Sequence, residues 1–264
     1  MRIPLFHVNA FAQGPYSGNP AAVCLLDSWL DDAWLRKVAA ENNLSATAFL
    51  MRGTDRYQLR WFTTRCEIRL CGHATLAAGL VVLDLLQPGQ DKAQFETRHL
   101  GLLTVGRAGN FFAMDFPALI PQQCANQPPG LRAALGLETD PAELLEVNET
   151  YIVVLANQRM VASAAPDFSR IEKFHPHVVA ITAPGEQEDF VSRYFAPSYG
   201  VPEDPVTGSV HCALTPYWSR RLGKTQLDAR QLSDRGGQLQ CELVDQRVIL
   251  RGRAILTIQG TLTI

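Results

Sequence analysis

The sequence predicts an α+β fold made of two pseudo-symmetric halves, each a sheet or barrel wrapped round one central helix. Three observations carry that prediction. Strand-like runs lie before and after each of two apolar helices, rather than alternating with helices as in a βαβ chain. The pattern Glu, four residues, Gly, a polar residue and a small apolar one occurs at Glu67–Ala74 and again at Glu203–Val210, 136 residues apart. Each copy opens one of the two helices, with Phe62 and Phe195 at similar distances ahead of it. At roughly 150 residues per domain, 264 residues accommodate two such units.

The first strand is expected over Ile3 to Phe11, followed by the turn-rich Gln13–Pro20 and a short buried strand from Ala21 to Leu26. Ser28 or Asp31 caps a helix to about Asn42, with Trp34, Leu35, Val38 and Ala39 on one face. Residues 46–51 and 57–63 read as strands. A helix starting near Gly72-His73 continues through Leu76, Leu80, Val81 and Leu83. It is apolar nearly all round, so it must be buried on most sides. Strands near 93–97, 100–106 and 110–116 follow, and the Gln- and Pro-rich stretch Pro121 to Gly130 reads as a linker.

The second half is expected to hold strands near 151–156, 160–164, 178–182 and 190–196. The second apolar helix runs from Gly208-Ser209 to about Leu222, where Gly223 terminates it. Four strands complete the chain, at about 225–230, 238–244, 247–252 and 254–262. The expected halves are 1–117, joined by the last strand at about 255–264, and 118–254.

Composition narrows the function classes. With 47% apolar and 19% charged residues and a net charge of −2, the chain can build a core but has no broad basic field for nucleic acid. No run approaches the roughly 18 apolar residues of a membrane span. The N-terminus enters a strand pattern without the layout of a signal peptide, so the six cysteines are read as reduced and the protein as cytoplasmic. Cys66 and Cys71 lack a second ligand pair, so no metal site is expected. The chain has no Walker loop, no Gly-x-Gly-x-x-Gly, no Gly-x-Ser-x-Gly and no His-Glu-x-x-His, which leaves nucleotide and metalloprotease chemistry without support.

A glycine at a helix start lets a ligand approach free backbone N–H groups, where the helix dipole favours an anion. Gly72 and Gly208, facing one another across a cleft between the halves, would hold a small carboxylate; tight helix packing is the alternative reason for both glycines. His73, polar at the first turn of an apolar helix, is the best placed histidine for proton transfer, as a neutral group; capping the helix is its alternative role. Asp204 stands just ahead of the second helix, where it can accept from helix N–H groups or exchange a proton with substrate. Ser209 can bind a carboxylate through its hydroxyl and N–H. His211 is assigned to core or interface, and His7, His99, His175 and His177 show no partners.

Seven segments in this order resemble the PhzF-like (phenazine biosynthesis) family: Gly18–Cys24, Asn43-Leu44-Ser45, Phe62-Thr63, Cys71–Ala77, Glu203–Ser209, Pro216-Tyr217-Trp218 and Gln231–Gly237. The resemblance spans almost the whole chain. It implies the diaminopimelate-epimerase fold, a cofactor-free homodimer and a site between two similar halves. The phenazine enzyme moves a proton on dihydro-hydroxyanthranilate, an isomerisation that yields a ketone. The matching positions are His73 and Asp204, with Gly72, Gly208 and Ser209 for substrate contacts. The family's acid/base glutamate is replaced here by Ala46, within Asn43-Leu44-Ser45-Ala46-Thr47. Alanine carries no proton, and losing such a group costs a factor of about 10² to 10⁴. Glu41 matches a different glutamate and does not fill the vacancy.

The expectation is thus a PhzF-like isomerase of a small carboxylate-bearing metabolite, weakened or silenced at Ala46. A protein that binds small carboxylates without turnover is the alternative. A two-thiol racemase is a third reading, disfavoured because His73 and Ser209 occupy the positions where that branch of the fold carries cysteines.

Overall fold

Seventeen strands and six α-helices make up the computed structural model, which describes residues 1–264. In chain order the elements begin with β1 (Arg2–Ala10), β2 (Asn19–Leu26), α1 (Asp32–Asn42), β3 (Ala46–Arg52), β4 (Tyr57–Phe62) and β5 (Glu67–Ile68). Next come α2 (Gly72–Leu80), β6 (Lys92–Thr97), β7 (Gly101–Ala108), β8 (Phe111–Pro117), β9 (Gln122–Gln123), α3 (Leu131–Ala134), β10 (Glu143–Val147) and β11 (Thr150–Val154). The chain continues through α4 (Gln158–Ser163), α5 (Phe168–Ile171), β12 (Val178–Pro184), β13 (Phe190–Phe195) and α6 (Gly208–Leu222). It ends with β14 (Gln226–Gln231), β15 (Gly237–Val244), β16 (Arg247–Gly252) and β17 (Ala254–Thr263). Two units result, Met1–Asp115 with Ile249–Ile264 and Phe116–Val248.

In the first unit β1 pairs antiparallel with β2 and β17, β2 parallel with β3, and β3 antiparallel with β4. Then β4 pairs parallel with β6, β6 antiparallel with β7, and β7 antiparallel with β8. All nine residues of α2 are buried. The helix touches β17, β1, β2, β3 and β7, strands from opposite regions of the sheet, so the sheet curls round it. Gly79 permits that closeness, because a Cβ there would lie 2.4 Å from Cγ1 of Val105. Beyond Leu80 the helix widens into a π-turn over Val81–Leu86.

The second unit repeats the scheme. β10 pairs antiparallel with β11, β11 parallel with β12, β12 antiparallel with β13, β13 parallel with β14, and β14 antiparallel with β15. These are the senses of β1–β2, β2–β3, β3–β4, β4–β6 and β6–β7. Its central helix α6 runs from Gly208 to Leu222 and stops at Gly223 in the left-handed region (φ 68°), as the sequence indicates. Trp218 of α6 stacks on Phe190 of β13 at 5.9 Å. Pro216 lies inside α6 and has no N–H to give the Cys212 carbonyl, which instead accepts the backbone N–H of Leu119 at 3.0 Å.

Several expectations are corrected. Residues 160–164 are not a strand: Asn157 accepts the Met160 N–H at 3.1 Å and starts α4. The stretch Pro121 to Gly130 is not a free linker, because β9 pairs with β10 and the Cys124 N–H bonds the Leu144 carbonyl at 3.0 Å. Trp34 stays 46% exposed, with Lys37 over its ring at 4.9 Å, so the buried stripe of α1 is Leu35, Val38 and Ala39. Asp31 occupies the N-cap of α1 without a side-chain capping bond. Strands β5 and β10 and the short helices α3 and α5 were not legible in the sequence.

Candidate functional site

The start of α2 gathers polar groups from three segments of the first unit. Gly18, in a left-handed turn (φ 76°) where a Cβ would meet the Ala10 carbonyl at 2.4 Å, swings the chain into β2 and leaves Asn19 fully buried. The Ser45 hydroxyl donates to Oδ1 of Asn19 at 2.5 Å and lies 3.3 Å from Nε2 of His73. Sγ of Cys71 lies 3.4 Å from Nδ1 of the same ring. With the Ser45 proton given to Asn19, the network fits a His73 that donates from Nε2 and accepts the thiol at Nδ1.

His73 is 5% exposed, and burial pushes its pKa down to about 3, so the ring is neutral across the physiological range. Ala46, the residue after Ser45, opens β3 opposite Ala21 and is fully buried. It brings a methyl group where a proton carrier is expected.

No side chain caps α2: its N-cap, Cys71, is extended (φ −141°, ψ 99°). The Cys71 carbonyl accepts the Thr75 hydroxyl at 2.6 Å and the Thr75 N–H at 3.0 Å.

The start of α6 repeats this in the second unit. Its N-cap, Thr207, is extended (φ −111°, ψ 101°) and makes no side-chain cap. The Thr207 carbonyl accepts Nδ1–H of His211 at 2.7 Å, the same reach from the second turn that Thr75 makes in α2. That bond leaves Nε2 of His211 bare, and the nitrogen is buried without a partner. Burial lowers the His211 pKa to about 4, so this ring too is neutral and belongs to the core.

Asp204 is 7% exposed and is held from several sides. Its N–H donates to the Tyr194 carbonyl at 2.9 Å, and its Oδ2 accepts the Thr207 hydroxyl at 2.5 Å. Gln231, fully buried, donates to the Asp204 carbonyl at 2.6 Å and accepts the Thr207 N–H at 2.9 Å. Burial, then the nearby Asp204 charge, raises the Tyr194 phenol. Gly208 is buried and Ser209 half-buried at the first two positions of α6.

Two pairs escaped the sequence reading. Glu67 receives Arg60 through Nε and Nη2, both at 2.7 Å, and Glu203 receives Arg193 the same way at 2.7 and 2.9 Å. The guanidinium lies over Phe62 at 5.1 Å in one unit and over Phe195 at 5.2 Å in the other. An Arg-x-Phe tripeptide ahead of both Glu-x4-Gly copies was the available signal. His177 also gains partners the sequence did not suggest, Oε1 of Glu146 at 2.8 Å and the Tyr151 ring stacked at 4.2 Å. No cluster of three or more His, Cys, Asp or Glu side chains is placed to hold a metal ion.

Two units with one strand-pairing scheme, each carrying a central helix whose uncapped start adjoins a buried titratable residue, define the epimerase-like class of folds. A hydroxyproline epimerase of Agrobacterium vitis matches at a TM-score of 0.63, covering 99% of this chain and 92% of that one. At 9% identity that likeness is one of fold alone. The chain itself belongs to the PhzF-like family, since the family model described as "phenazine biosynthesis-like protein" matches residues 8–260. A curated relative named an uncharacterized isomerase, from Pseudomonas aeruginosa, is 48% identical over 262 residues, 99% of each chain. The crystal structure of a phenazine biosynthesis protein of the PhzF family from Enterococcus faecalis matches at a TM-score of 0.92 and 40% identity, covering 100% of both chains. At the family level the chain is therefore isomerase-like.

Proposed function

We propose that this chain is a cofactor-free isomerase that moves a proton between carbon atoms of a small, dihydro-hydroxyanthranilate-like carboxylate, and that it does so slowly because of Ala46. One observation carries the reading: in each unit an uncapped helix start adjoins a buried titratable residue, His73 at α2 and Asp204 at α6. Free N–H groups at Gly72, Gly208 and Ser209 suit a carboxylate and the negative charge that develops when a C–H proton leaves. Asp204, its second oxygen fixed by Thr207, is the group that accepts or returns that proton. His73 acts as a neutral hydrogen-bond donor, because burial denies it the cationic form. Substrate and product share one formula, so the cycle needs one mobile proton and no redox partner. The protein works as a cytoplasmic homodimer in this reading.

The test is solvent deuterium incorporation into dihydro-hydroxyanthranilate, run with this chain and with Ala46→Glu. Incorporation that rises in the variant supports the proposal, and none in either chain refutes it for this substrate. Ala46 also favours a second reading, a binding protein without turnover. Calorimetric binding of small carboxylates, with no deuterium transfer after Ala46→Glu, would select it.

A further inference from the structure

We infer that Arg193 and Arg60 are positioning residues, two equivalent clamps that set the strand-to-helix loops carrying Asp204 into α6 and leading to His73 in α2. Each arginine grips its glutamate in a two-point fork, the geometry in which guanidinium fixes orientation as well as distance. Both pairs are largely sheltered, with side chains 11% and 20% exposed in one and 12% and 18% in the other. Shelter of this order separates them from surface ion pairs, which hold little.

Each guanidinium ties three pieces of its unit together. Arg193 sits on β13, reaches the loop at Glu203, and donates through Nη1 to the carbonyls of Ala164 at 2.7 Å and Val161 at 3.3 Å, at the end of α4. Arg60 sits on β4, reaches Glu67 in the two-residue strand β5 that leads into α2, and donates to Asp32 at 2.8 Å in the first turn of α1. Stacking on Phe195 and Phe62 fixes the plane of each fork.

The consequence is sharpest at Asp204. Its neighbour Glu203 is pinned by the Arg193 side chain, while its own N–H is pinned by the carbonyl of Tyr194, the residue after Arg193. One two-residue stretch of β13 thus fixes both residues of the Glu203-Asp204 pair. Neither arginine needs to touch substrate; each acts through the loop it holds.

The test compares Arg193→Lys, which keeps the charge and loses the fork, with the exposed-pair control Arg132→Lys. The first readout is the set of backbone amide resonances of Asp204, Gly208 and Ser209. They should shift in Arg193→Lys and stay in place in Arg132→Lys, and Arg60→Lys should move Gly72 and His73 in the same way. The second readout rests on the isomerase proposal: in the Ala46→Glu background, Arg193→Lys should lower kcat about tenfold to a hundredfold with KM within about twofold. A folded Arg193→Lys with unmoved resonances, or a control that moves them equally, overturns the inference. If Arg193→Lys does not fold, Glu203→Gln carries the same readouts. Failure of Ala46→Glu to turn over refutes the isomerase reading instead, and the resonances still decide this one.

Discussion

Ser45 and His73 meet at 3.3 Å, hydroxyl oxygen to Nε2, and Ala46 is the very next residue of the chain. The polar frame of the α2 start is therefore complete up to the residue beside Ala46. Asn19 orients Ser45, Ser45 receives His73, and Cys71 closes the other side of the ring.

Ala46→Glu should raise deuterium transfer into dihydro-hydroxyanthranilate by a factor of about 10² or more. It should also cost roughly 2 kcal/mol of stability, since a carboxylate replaces a fully buried methyl. Urea unfolding of the two chains, read with the exchange assay, checks both halves of the expectation.

Asp204→Asn, made in the Ala46→Glu background, should lower that transfer by about 10² to 10⁴ while leaving stability within roughly 1 kcal/mol. The amide oxygen can still accept the Thr207 hydroxyl, so the loop keeps its shape while the proton carrier is gone. A variant that retains full exchange would remove Asp204 from the chemistry.

Stability should fall on acidification below about pH 6.5. His73 and His211 bind a proton in the unfolded chain near 6.5 but in the folded chain only near about 3 and about 4. Their contribution is complete above 6.5 and drains as pH falls, because the unfolded chain then binds more protons. Each adds a slope of about 1.4 kcal/mol per pH unit within its window. Urea midpoints between pH 7 and 5 measure the slope, and His73→Gln should remove about half of it.

Gly79→Ala should destabilise the first unit by about 1 to 2 kcal/mol: overpacking against Val105 outweighs the roughly 1 kcal/mol gained in helix propensity. Adding Val105→Ala should make the pair more stable than the summed single effects predict, by about 1 kcal/mol or more in a double-mutant cycle. Additive effects would mean that Gly79 is not a contact point between α2 and β7.

Local patterns along the chain were enough to place the two central helices, most of the strands and the repeat common to both units. These rest on local chemistry: apolar periodicity, a glycine at each helix start and the left-handed terminator Gly223. The sequence also drew attention to Ala46, because the resemblance to the PhzF-like family implies a glutamate at that position. Asn157 is legible as a cap in principle, but the six-residue helix behind it is too short to show a helical period, and Trp34 lies outside the buried stripe because period alone does not say how wide that stripe is.

Which side chains meet depends instead on how the strands come together in space. Arg60 and Glu67 are seven residues apart, Arg193 and Glu203 ten, and Gln231 reaches Asp204 across 27. None of those separations has a period to betray it. Burial, which pushes His73 down to about 3, likewise belongs to no residue alone: it is set by the sheet that curls round α2. Local chemistry fixes elements, but the register of strands distant in sequence fixes partners, and the proposed chemistry depends on partners.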